Sequence, residues 1–173
     1  MACPPIDIAQ AIKTALDAAV VAGTLTPAFD CRAGIVFQAK LPDLPGAGSA
    51  VIRPLVDVCI QPRATMELTG RYRRGHVCPV RIGVRQVLSS ACYREDGTID
   101  LDKITPQVTL LYDLMKFLMP SVTNDHYGQP FASLASHWIP PMEIVFAYEP
   151  DLLQTDKLYC GIFEVTYGIV ETT

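Results

Sequence analysis

Residues 158–170, LYCGIFEVTYGIV, alternate strictly: Phe163, Val165, Tyr167 and Ile169 stand against Glu164 and Thr166. A period of two places these sets on opposite faces of a β-strand, one face apolar and one polar. Such a strand has to bury its apolar face under another layer, so the rest of the chain must supply both neighbouring strands and a cover. The same pattern recurs in HVCPVRIGVRQVL, where Val80, Ile82 and Val84 oppose Arg81, Gly83 and Arg85. Pro79 cannot donate to a ladder and is expected at that strand's beginning or on an edge. In VIRPLVDVCIQPR, Val56, Val58 and Ile60 alternate with Asp57 and Cys59 until Pro62 closes the run. AFDCRAGIVFQA (28–39) reads as a first strand and MEIVFAYE as a further one ending at Pro150.

Two segments have helical period instead. After a stop at Pro4-Pro5, Asp7 is a plausible cap, and Ile8, Ile12, Ala15, Leu16 and Ala19 form one stripe that Gly23 and TLTP end. Ile104, Val108, Leu111, Met115 and Leu118 form the second stripe, capped by Asp102 or Thr105, with Pro106 tolerated early and Pro120 as the stop. KLPDLPGAGSA (40–50) is a loop, and residues 63–76 and 120–141 lack any apolar period. The order of helix, three strands, helix and two strands predicts an α+β fold. It consists of an antiparallel (mixed) sheet with two main helices packed on one face and a long hairpin loop. The 173 residues suit a single domain over 1–173, with the 63–76 hairpin loop and the 120–141 loop as interface arms.

Half the residues are hydrophobic and 18% are charged, which excludes a disordered chain. The first residues carry no secretory signal, and no apolar run is long enough to span a membrane. The scattered cysteines have no CxxC spacing and read as reduced thiols. The net charge of −4 is unevenly spread: residues 68–94 hold six arginines and no acid, and residues 143–171 hold six acids against Lys157. Such polarity suits complementary subunit contacts.

Catalytic patterns are absent from the sequence. GAGSA lacks the G-x-S-x-G spacing, and no phosphate-binding glycine motif occurs. His76 and Cys78 share a strand face but make at most half a metal site, and Glu95-Asp96 before Gly97 reads as turn chemistry. The chain is therefore expected not to be an enzyme and to need no cofactor or metal. The basic run GRYRRGHVCPVRIGVR has three readings: a solvated hairpin tip, a nucleic-acid patch with Tyr72 stacking on a base, or a protein-contact arm. In the last, Arg63, Arg71, Tyr72, Arg73 and Arg74 form the arm. Arg81 and Arg85 lie on the polar sheet face where a neighbour could cover them, and Glu149, Asp151 and Asp156 are the acids to be met. Trp138, in what reads as a loop, is a candidate interface aromatic.

From the first helix through VCIQPR, VRIGVRQ, LLYDLMKFL and FEVTYGIV, residues 6–171 resemble the small phage neck proteins called tail terminators or tail-completion proteins. The markers are IQPR, VRIGV and FEVTY, in that sequence and at those separations; the 121–141 stretch is longer than the family leads one to expect. The resemblance implies a structural virion protein, assembled in the host cytoplasm. Six subunits would form a ring capping the head-proximal end of the tail tube, with the tube protein and the head connector as partners. DNA would pass through the lumen without being read, and no catalytic residue is carried over. Another neck component, a head–tail adaptor or stopper, is the nearest alternative; a nucleic-acid-binding module using residues 71–85 is the more distant one.

Overall fold

The computed structural model of the protein describes residues 4–36, 53–61, 65–70, 73–119 and 136–172. The 40–50 loop, Arg63, Arg71, Tyr72, Pro120 and the first part of the 120–141 stretch lie outside the described residues. The fold is α+β, with a six-stranded mixed sheet and its helices on one face. The strands are β1 (Asp30–Val36), β2 (Leu55–Ile60), β3 (Thr65–Gly70), β4 (Arg73–Val87), β5 (Ser136–Phe146) and β6 (Leu158–Thr172). They lie in the order β1-β2-β4-β6-β5, with β3 pairing β4 off that path. The β1–β2 pair is parallel, and the other pairs are antiparallel. A parallel neighbour needs a crossover connection rather than a tight turn, and residues 37–54 give the chain that length.

Helix α1 (Pro4–Val21) buries Ile8, Ile12, Leu16 and Ala19 as its spacing requires. Pro4 and Pro5 open this helix instead of stopping the chain before it. The first turn needs no amide donors, so prolines fit there and Asp7 falls inside the turn rather than at the cap. Helix α2 (Leu101–Leu118) starts earlier than its apolar stripe: Asp100 is the cap, its carboxylate accepting from the Asp102 amide at 3.2 Å. Pro106 thus sits in the second turn, on an exposed stretch where water can satisfy the carbonyl that loses its donor. Ile104, Leu110, Leu111, Leu114 and Leu118 join the α1 stripe, Val56, Val58, Val80, Ile82, Val84, Phe163, Val165 and Tyr167 in one core. No described helix is long and apolar enough to cross a membrane.

Packing is tight around Gly161 on β6. A β-carbon there would stand 2.7 Å from both the Ala147 carbonyl oxygen and Tyr159 Oη, and 3.1 Å from Leu111 Cδ2. Only glycine fits, and the space it leaves lets the Tyr159 hydroxyl donate to the Ala147 carbonyl at 2.8 Å.

Several segments differ from the sequence reading. Residues 65–70 are a strand antiparallel to Arg73–Val77, with a register shift between Leu68 and Gly70, so the stretch expected as a hairpin loop carries a strand pair. β5 begins at Ser136, so residues 136–141 are strand. Between Ile139 and Glu143 its register shifts, which takes Pro140 and Pro141 out of the ladder. A short helix α3 (Pro150–Thr155), with proline in its first position, separates β5 from β6.

Pro79 lies in the middle of β4, not at its beginning. β4 pairs with β2 through Val80–Arg85 and with β3 through Arg73–Val77, so Pro79 falls between two partners. Its carbonyl accepts from the Gln61 amide at 3.2 Å, and the donor it lacks would serve that same side, where β2 ends. Facing β6, Pro79 pairs with Thr166, and by antiparallel alternation that side asks no donor of it. The proline stands at a local edge inside a central strand.

Candidate functional site

The basic run folds into β4, and its alternation puts Arg81 and Arg85 on the face away from the helices. Asp57 on β2 and Glu164 on β6 reach the same face, because residues directly opposite in a ladder share a side. Asp57 is 1% exposed and Arg85 is 1% exposed. Arg85 Nε donates to Asp57 Oδ2 at 2.8 Å and Arg85 Nη2 closes a second contact to the same oxygen. Arg32, from β1, donates from Nε to Asp57 Oδ1 at 2.8 Å, with its side chain 36% exposed. One buried carboxylate thus holds two guanidiniums and ties three neighbouring strands together. Removing such groups from water is costly, and fork geometry with both carboxylate oxygens engaged is what offsets that cost. Arg81 Nε donates to Glu164 Oε2 at 2.9 Å in a half-buried pair on the next rung.

This seam corrects the expectation that a neighbouring subunit covers Arg85. Arg85 is buried by its own chain and Arg81 is paired within it. Part of the sequence's charge polarity has the same origin, since four of the arginines lie on β4 and two of the acids, Glu164 and Glu171, lie on the adjoining β6. Arg74 sits opposite Glu171 in that register and Arg73 opposite Thr172. Arg73 and Arg74 are strand residues at the outer end of the hairpin, not members of an open loop.

Thiols flank the seam: Cys59 lies opposite Arg81, and Cys160 opposite Arg85. Burial pushes the Cys59 thiol up to about 11 and the Cys160 thiol up to about 12. Burial thus favours the protonated thiol at both positions, and it likewise raises the partly buried Cys31 thiol to about 12.

The acids Glu149, Asp151 and Asp156 gather around α3, at the opposite end of the ribbon formed by β4 and β6. Glu149 is the cap residue, Asp151 is exposed in the first turn, and Asp156 ends the helix. Leu153 anchors the helix in the core, and its carbonyl accepts from Tyr93 Oη at 2.6 Å. Lys157, with φ +52, places its ammonium 5.6 Å over the Tyr93 ring. β4 runs fifteen residues from Arg73 to Val87, roughly 45–50 Å at strand rise, so within one chain the Arg73 end of the strand lies far from these acids.

Trp138 is a β5 residue opposite Tyr167, not a loop residue. Asp96 takes the turn role expected of it, accepting from the Thr98 amide at 2.9 Å and the Thr98 hydroxyl at 2.6 Å before the left-handed Gly97. The Thr98 hydroxyl bond lowers the Asp96 pKa. His76 and Cys78 share a strand face; among the described residues no group of three or more His, Cys, Asp or Glu side chains could hold a metal ion.

Sequence reasoning missed Asp57 and Arg32. An acid in the middle of LVDVCI was a signal, because a buried carboxylate requires a cation. The comparisons with known proteins find no family model that matches this chain and no curated protein similar to it.

Proposed function

We propose that this chain is a structural subunit of a tailed phage's neck: a tail terminator whose copies form a ring, six in number, on the head-proximal end of the tail tube. One observation carries the reading. The three markers of the resemblance, widely spaced in sequence, converge on adjacent central strands, where Ile60, Val80 and Val165 form a single row across β2, β4 and β6. Around that row the α+β architecture supports the reading, with two helices on one face and a hairpin extending past the end of β2. On this proposal the tube protein and the head connector are the partners, and the outer hairpin bearing Arg73 and Arg74 and the acidic α3 end are contact regions. The nucleic-acid reading loses support, because Arg81 and Arg85 are committed to Glu164 and Asp57.

Electron microscopy of phage particles assembled without this protein tests the proposal. Tail tubes of uncontrolled length are expected. Tubes of normal length that fail to join heads would overturn the terminator reading in favour of an adaptor or stopper. Normal, joined particles would overturn both.

A further inference from the structure

We draw no further inference here: the strongest candidate, the shallow depression on the polar sheet face between Pro141, Glu143, Glu164 and Thr166, is an acidic pair with no second observation that points to a ligand.

Discussion

Asp57 shows how one side chain can set the chemistry of a whole sheet face. Its replacement by asparagine keeps the shape but leaves Arg85 buried without its carboxylate, and a loss of about 3–5 kcal/mol is expected in urea unfolding. Arg32→Ala is expected to cost less, about 1–3 kcal/mol, because Asp57 keeps its contacts to Arg85 and only its Oδ1 loses a partner. Equal losses from the two variants would contradict that ranking. Gly161→Ala should cost about 1–3 kcal/mol by overpacking against the Ala147 carbonyl and Leu111, read in the same titration. The thiols set a pH dependence with a definite sign. Cys59 and Cys160 keep their protons more tightly folded than unfolded, so their contribution is complete below the unfolded thiol pKa of about 8.5 and declines as pH rises toward about 11–12. Stability measured between those limits should fall, and Cys59→Ala should flatten the fall. At this scale the faces of Arg81 and Arg85 were legible from alternation alone. Their partners were not, because Asp57 lies 28 residues before Arg85 and Glu164 lies 83 after Arg81. Which strands lie side by side decides those pairs, and a period of two carries no record of strand order.

Among the elements, long periodic segments were the readable ones. The stripes of α1 and α2 and the alternation of β2, β4 and β6 name most of the core. β3 was missed because TMELTG offers only two apolar positions, and its pairing with β4 supplies what its own pattern does not. β5 was read too short because Pro140 and Pro141 look like a break, whereas a register shift carries them through. α3 was hidden by its six-residue length, although Pro150 in its first position was a start signal. The outer hairpin supports a prediction of its own. Reversing charge at Arg73 and Arg74 together should leave circular dichroism and the melting transition close to those of the parent while impairing assembly onto tail tubes. A collapse of the fold would mean that these positions serve the sheet and not a partner. Pro79→Ala should shift stability by less than about 1 kcal/mol, since the ladder already ends where the missing donor would serve.

For the whole molecule, the ring proposal makes a mass prediction. Sedimentation of the purified protein, alone or mixed with tail tubes, should show a closed multimer of six copies. A monomer under both conditions that leaves tubes uncapped would count against it. Heterologous contacts close into rings only when each subunit turns through a fixed angle, so the piece of the subunit that meets its neighbour must be held at a definite pitch. Pro79 bears on that geometry. β4 serves β2 on its inner length and β3 on its outer length, and the proline lies where one allegiance gives way to the other. Beyond the proline the outer length of β4 is held by β3 and by β6, whose pairing runs unbroken past Pro79, while β2 no longer reaches it. Hydrogen exchange at Thr65–Gly70 and Arg73–Val77 should run ahead of exchange at Val80–Arg85, as one cooperative unit. On the ring proposal, this outer ribbon is the part of the sheet left for a neighbour, while the buried Asp57 seam ties β1, β2 and β4 together.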